Sequence, residues 1–124
     1  MQLGLSERGS KVFTQVSAFM ESEVFPAEPV YWAQRAELIA VGEMHTVPPI
    51  VEELKTKAQV LGLWNLFLPS LSDGLGAVDY AYLAEQMGWS IDIAPEAMNC
   101  AAPDTGNMEI LSMFGTFEQK AMWL

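Results

Sequence analysis

The fold is decided first by residues 6–24, which read SERGSKVFTQVSAFMESEV. The apolar side chains of this segment recur at intervals of three and four residues, the spacing of one face of an amphipathic helix. They are Val12, Val16, Phe19, Met20 and Val24. Glu7 falls in the expected first turn, where a carboxylate favours the positive end of the helix dipole. Pro26 and Pro29 follow, and we expect them to end this helix.

A second helix is predicted after a weakly patterned stretch. Residues 29–47 show only a faint helical period, which indicates a loop with at most a short helix. Pro48 and Pro49 then open a helix, because a proline needs no amide donor in a first turn. Gly62 ends this helix in the manner of a C-terminal glycine. Its predicted buried face consists of Val51, Leu54, Ala58 and Leu61.

Three more helices are predicted in the second half of the chain, at residues 77–87, 92–100 and 107–114. Before them, residues 63–69 form a buried apolar connector and residues 70–76 a surface turn. The residues that define these helices are the stripe Tyr80, Leu83, Ala84 and Met87 with Gly88 as the stop, then the cap Asp92 with Pro95, and finally Met108, Leu111 and Phe114.

The last residues of the chain carry a start signal for another helix. Thr116 and Gln119 have the spacing of a capping box, in which each residue bonds the backbone amide of the other. A helix that stops at Leu124 is too short to be stable unless it is packed against something. We therefore expect the protein to continue beyond Leu124, the alternative being a short docked C-terminal helix.

The chain as a whole is predicted to be one all-α domain over residues 1–124. No alternation of apolar and polar residues typical of a strand extends beyond a few residues, and no internal repeat is present. We expect an up-and-down or orthogonal bundle of about five to six helices.

The composition excludes several classes of function. The 124 residues include 16 Asp and Glu against 6 Lys and Arg, for a net charge of -10, so nucleic acids and anionic membranes are disfavoured as partners. A single cysteine and a single histidine allow neither an internal disulfide nor a structural zinc site. The longest uncharged stretch, residues 58–72, is interrupted by Pro69 and too short to span a membrane.

No catalytic, cofactor-binding or metal-ligating residue is predicted from spacing alone. The pair Gly74 and Gly76 lacks the third glycine and the preceding strand of a phosphate-binding loop. His45 and Cys100 are interpreted as a surface histidine and a small buried hydrophobe rather than a nucleophile pair. The oxygen-bearing residues Asp104, Asn107 and Glu109 do not match a calcium loop.

Residues 94–103, which read APEAMNCAAP, form an unusual tract of small side chains followed by Met108, Leu111 and Met113. Small residues leave space at a helix end, and methionines adapt to irregular apolar ligands. Two interpretations stay open, namely a wall of an elongated apolar pocket and tight packing between helices.

Three segments of the chain resemble the N-terminal helical domain of the acyl-CoA dehydrogenases. They are residues 54–69, which end in GLWNLFLP, residues 82–88, YLAEQMG, and residues 99–124, which begin NCAAPDTGNM. The last motif resembles the branch of the family related to the animal acyl-CoA dehydrogenase ten and eleven proteins. The ordered set covers essentially the whole chain.

The resemblance implies a helical domain followed by a β domain and a C-terminal four-helix bundle. It implies an enzyme that oxidises the Cα–Cβ bond of a fatty acyl-CoA, with a C-terminal glutamate as the base and FAD as the hydride acceptor. Electron-transfer flavoprotein would be the electron acceptor, and the enzyme would be a homodimer or homotetramer. The glutamate and the main FAD contacts match no residue of this chain, so the chain alone is expected to be inactive and to bind no FAD.

The resemblance also implies which residues line the acyl-tail cavity. The wall candidates are Met98, Ala101, Ala102, Thr105 and Met108. Their small size suggests room for a long or branched tail. The segment SLSD after Pro69 departs from the more glycine-rich family pattern, and this loop is expected to differ in shape.

A second interpretation is a free-standing acidic module for protein interaction, with Trp32, Trp64, Trp89 and Trp123 among its docking residues. An N-terminus without a basic, acid-poor leader favours the bacterial cytoplasm, with the mitochondrial matrix as the alternative.

Overall fold

The computed structural model describes residues 3–69 and 75–124. Its helices follow the chain in the order α1 (Glu7–Phe19), a π-helical segment (Met20–Val24), α2 (Phe25–Ala40), α3 (Pro49–Val60), α4 (Ala77–Gly88), α5 (Ala94–Ala97), α6 (Asp104–Phe114) and α7 (Phe117–Trp123). Throughout the described residues every regular element is helical, which confirms the predicted all-α class. The predicted turn at residues 70–76 lies mostly outside the described residues.

The first helix begins where the sequence predicts. The Ser6 hydroxyl accepts a hydrogen bond from the amide of Gly9 at 2.9 Å, and Glu7 occupies the first turn. Such a cap satisfies one of the amides that a helix start leaves without a partner. All members of the predicted apolar stripe are buried, namely Val12, Val16, Phe19, Met20 and Val24. This stripe forms one side of the hydrophobic core.

The prediction that Pro26 and Pro29 end the first helix is wrong. The chain continues through the π-helical segment into α2, so residues 29–40, predicted as a loop with at most a short helix, are part of a 16-residue helix. Pro26 falls in the first turn of α2, where its missing amide costs little, whereas Pro29 lies inside the helix. Ala27 and Tyr31 are buried on the inner face of α2. Their packing against the core offsets the hydrogen bond that Pro29 cannot make.

Helix α3 confirms its predicted start and end. Pro48 precedes its first residue, and Val51, Leu54 and Ala58 are buried. Leu61, predicted on the buried face, is exposed because α3 ends at Val60. Gly62 has φ of +70°, and the turn it makes brings Leu63 into the core in place of Leu61.

Around this core, α1 packs on α4, α2 packs on α3, and α5 lies against both α3 and α4. In α4 the predicted residues Leu83 and Met87 are buried, while Ala84 faces outward. The Gln34 side-chain oxygen accepts a hydrogen bond from the amide of Ile50 at 2.9 Å and so fixes the start of α3 relative to α2.

The helix predicted at residues 92–100 is shorter in the structure, where α5 has only four residues. Asp92 does not cap it, since Ile93 precedes the helix and makes no side-chain cap bond, although Pro95 lies in its first turn as predicted. The helix stops because Asn99 adopts a left-handed backbone with φ of +51°. In turn, α6 starts at Asp104, three residues earlier than predicted.

The buried carboxylate of Asp79 joins the start of α1 to the start of α4. Asp79 accepts hydrogen bonds from the Ser6 amide at 2.8 Å and the Ser6 hydroxyl at 2.7 Å. These bonds hold the pKa of Asp79 below its usual range, with burial acting in the opposite direction. The ionised form is therefore more stable in the folded chain than in the unfolded chain.

We expect Asp79→Asn to lower the free energy of unfolding at pH 7 by about 1–3 kcal/mol, because a charge-assisted hydrogen bond becomes a neutral one. Because folding lowers the pKa of Asp79, its carboxylate stabilises the fold at pH values above the pKa that it has in the unfolded chain. This contribution is lost as the pH falls through the pKa that it has in the folded chain. Urea unfolding between pH 7 and pH 3 should thus show a shallower acid loss in Asp79→Asn than in the original chain. Asp92→Asn, at an exposed loop position, should keep the stability of the original chain at pH 7. Parallel acid profiles for Asp79→Asn and the original chain would contradict the assignment.

Candidate functional site

The five predicted wall residues lie on one stretch of chain from the end of α5 to the middle of α6, but they differ in exposure. Met98 is fully buried in the core. Ala101, Thr105 and Met108 are half-buried, and Ala102 is exposed. The structure therefore brings four of the five to the surface of this chain, and the assignment of all five as wall residues stays a prediction.

Helix α6 presents a half-buried face and an exposed apolar face. Thr105 and Met108 are three residues apart and lie on the same side of the helix, in line with Leu111 and Ser112. Neither α6 nor α7 has a residue that is fully buried within the chain. The exposed apolar residues of the two helices are Ile110, Met113, Phe114, Phe117, Met122 and Trp123. The α6–α7 hairpin is thus an apolar edge attached to the core.

A cavity of about 310 Å³ opens beside Ala101. Its apolar lining includes Tyr31 of α2, Val51 of α3 and Ala101 itself. Its polar lining comprises Arg35, His45, Thr46, Asp92 and Glu96. One wall candidate therefore borders a space of a size suited to part of a small molecule.

Glu96, which lines this cavity, belongs to an ion-pair network. The Lys55 ammonium lies 2.6 Å from Glu96 and 3.0 Å from Glu52, which links α3 to α5. Partial burial lowers the pKa of Lys55, but the hydrogen bonds to the two carboxylates outweigh this effect and raise it overall. The carboxylate of Glu96 at the cavity is consequently already paired with a cation.

The Cys100 thiol faces Tyr80 and the connector after α3. It donates a hydrogen bond to the Met98 carbonyl oxygen at 3.4 Å and also interacts with the Tyr80 hydroxyl. Burial raises the pKa of Cys100, and burial together with Cys100 raises the pKa of Tyr80. A thiol with a raised pKa is a poor nucleophile at neutral pH. Cys100 is thus a half-buried side chain packed against the core, and its raised pKa argues against a role as a nucleophile.

One residue of this region escapes sequence reasoning. Asn65 is fully buried, has φ of +54°, and makes hydrogen bonds to Asn99 and to the main-chain oxygen of Leu124. The asparagine within the apolar segment LWNLF is the one signal that marks it, since a buried amide requires partners.

Neither a metal cluster nor a membrane-spanning helix is found in residues 3–69 and 75–124. No three side chains of His, Cys, Asp or Glu in these ranges lie together so that they could hold a metal ion. No helix there combines the length and the hydropathy needed to cross a bilayer. Of the predicted glycine pair, Gly74 is outside the described residues and Gly76 precedes α4.

The fold is thus a helical domain with an exposed apolar edge formed by α6 and α7. No family model matches the sequence. The chain is 56% identical to "Probable acyl-CoA dehydrogenase FadE2" of Mycobacterium tuberculosis over 100% of its own length and 30% of that protein. It is 48% identical to "Acyl-CoA dehydrogenase family member 11" of Rattus norvegicus, over 96% of this chain and 15% of that protein.

A solved structure has the same fold. It is described as "a putative acyl-CoA dehydrogenase from Mycobacterium abscessus" and superposes with a TM-score of 0.79 at 44% identity, over 98% of this chain and 31% of that one. The chain spans about 30% or less of the length of these relatives. The chain matches the N-terminal helical portion of proteins named acyl-CoA dehydrogenase.

Proposed function

We propose that the chain forms the acyl-tail side of an FAD-dependent acyl-CoA dehydrogenase, which converts fatty acyl-CoA thioesters to 2-enoyl-CoA. The observation that carries the proposal is the half-buried row Ala101, Thr105 and Met108 on an apolar edge, in a chain 56% identical to a relative named as such an enzyme. The contribution of this domain is to position the tail and exclude water from it, without supplying a chemical group.

The flavin contacts are expected outside this chain. The cavity beside Ala101 measures about 310 Å³ and sets Asp92 and Glu96 against Arg35. A dinucleotide carries two phosphates, for which such carboxylates are poor neighbours. This cavity therefore does not fit FAD, and a yellow colour in the purified 124-residue chain would count against placing the flavin contacts outside it.

The remaining partners of the complete enzyme follow from the family. We propose electron-transfer flavoprotein as its electron acceptor and a homodimer or homotetramer as its assembly. A cytoplasmic location accords with the mycobacterial relative, and the mitochondrial matrix remains the alternative.

A second candidate is an acidic interaction module that performs no catalysis. Trp32, Trp89 and Trp123 are 54%, 74% and 63% exposed, as docking residues would be. Trp64 is half-buried. The reading frame after Leu124 separates the two candidates, because a stop codon there favours the module and a continuing frame favours the dehydrogenase.

The proposed wall is tested by Ala101→Trp in the complete dehydrogenase that contains this domain. An indole at this position would fill space beside the tail, so we expect kcat/KM for long acyl-CoA substrates to fall at least about tenfold, while short substrates are oxidised as before. The measurement is a series of acyl-CoA substrates of increasing length. Ala84→Trp, on the exposed side of α4, is the matched control. A chain-length profile that is the same for both variants would contradict the placement of the wall.

A further inference from the structure

Helix α6 packs only loosely on the core, because none of its residues is fully buried. Its principal helical neighbour is α7, and neither helix buries a residue completely. Burial of apolar side chains is what normally fixes a helix on a domain. The segments that lead into α6 and out of α7 therefore contribute to its position.

Both of those segments are bonded to the side chain of one residue, Asn65. The Asn65 side-chain oxygen accepts a hydrogen bond from the Asn99 amide group at 2.6 Å, two residues before Ala101. The Asn65 amide nitrogen donates to the main-chain oxygen of Leu124, just after α7, at 3.1 Å. One amide thus connects the entry and the exit of the α6–α7 hairpin.

The backbone of Asn65 is held as firmly as its side chain. Its N–H donates to the Met98 carbonyl oxygen at 3.1 Å, and its own carbonyl oxygen accepts from the Leu68 amide at 3.0 Å. Asn65 and Asn99 have φ of +54° and +51°, a left-handed conformation that asparagine tolerates better than most residues. Because the side chain is fully buried, water cannot replace either of its hydrogen bonds.

We propose that Asn65 is a positioning residue for the acyl-tail wall. It acts through Asn99 and Leu124 to hold α6 at a fixed distance from the core, and so sets the position of the wall proposed at Ala101, Thr105 and Met108. The link to the tail rests on the function proposed above. The link between Asn65 and the position of α6 rests on the hydrogen bonds alone.

The first arm of the test measures hydrogen exchange in the 124-residue chain by mass spectrometry. Asn65→Gly removes the amide and keeps the left-handed backbone accessible, while Asn65→Asp keeps the acceptor for Asn99 and loses the donor to Leu124. We expect exchange in α6 and α7 to rise at least about tenfold in Asn65→Gly, with less than about threefold change in α1 and α4. Asn65→Asp should loosen α7 more than residues 99–103. Asn107→Ala, at an exposed position of α6, controls for a lost asparagine that makes neither bond.

The second arm measures the chain-length profile of the complete dehydrogenase. Asn65→Gly should change kcat/KM for long acyl-CoA substrates at least about fivefold and leave that for short ones within about twofold, since a wall displaced along the tail matters only where the tail reaches it. A purely structural loss would lower both alike and would overturn the positioning role. Exchange in α6 and α7 that is unchanged, or that rises equally throughout the domain, would also overturn it. If the original enzyme oxidised no acyl-CoA while the exchange result held, the proposed function would fail and the hydrogen-bonded anchor would stand.

Discussion

Replacing Gly9 with alanine is expected to lower the free energy of unfolding by about 1–3 kcal/mol, the usual effect of forcing an extra carbon into a packed contact. A Cβ on Gly9 would lie 2.1 Å from the Asp79 carboxylate oxygen and 2.4 Å from its Cγ. Asp79 cannot move away freely, because it accepts two hydrogen bonds from Ser6. Alanine is more favourable than glycine in a helix by up to about 1 kcal/mol. The cost of the clash with Asp79 must exceed this gain for the substitution to destabilise the fold. Urea unfolding followed by circular dichroism measures the net effect.

The control for this change is Gly106→Ala in α6. A Cβ there would meet no atom within 4 Å, so the propensity gain should appear alone, as a neutral or slightly stabilising effect. The cause of the Gly9 effect is isolated by repeating Gly9→Ala in an Asp79→Ala background, where its cost should shrink. An equal cost in both backgrounds would show that the approach of Asp79 is not responsible.

The sequence predicts those helices whose signals are local. The buried stripe from Val12 to Val24, the α3 helix between Pro49 and Gly62, and the capping box of Thr116 and Gln119 are all confirmed. Each depends on residues a few positions apart, which are neighbours both in the sequence and in the folded helix. Helix α2 was not predictable in this way, because the burial of Tyr31 that stabilises it past Pro29 depends on distant neighbours.

In the candidate site, too, the features with local sequence signals were predicted and those that depend on distant contacts were not. The tract of small residues at 94–103 and the Met108 that follows it could be located from the sequence, and the resemblance selected the five wall candidates in this region. The sequence does not reveal Asn65 as an anchor, since its partners Asn99 and Leu124 are 34 and 59 residues away. Nor can it rank the wall candidates by burial, because exposure is decided by how α5 and α6 meet the core.

We expect Met98→Ala to lower the free energy of unfolding by about 2–5 kcal/mol. The Met98 side chain is fully buried beside other core residues, so truncation leaves a cavity that the well-packed surroundings fill only in part. The hydrogen bond from the Asn65 amide reaches the Met98 main-chain oxygen and is retained by alanine. The loss thus reports on side-chain packing, and thermal or urea unfolding of the two chains measures it.

Met108→Ala separates a core role from a wall role, because it removes the same side chain from a half-buried position on α6. With little cavity to leave, it should cost less than about 1 kcal/mol. In the complete dehydrogenase we expect Met108→Ala to alter the preference for acyl length. We expect Met98→Ala to lower stability before it alters that preference. Equal losses of stability would place Met108 in the core as well. Met108 keeps its side chain accessible in this chain and Met98 does not, so a change in acyl preference can be separated from a loss of packing only at Met108.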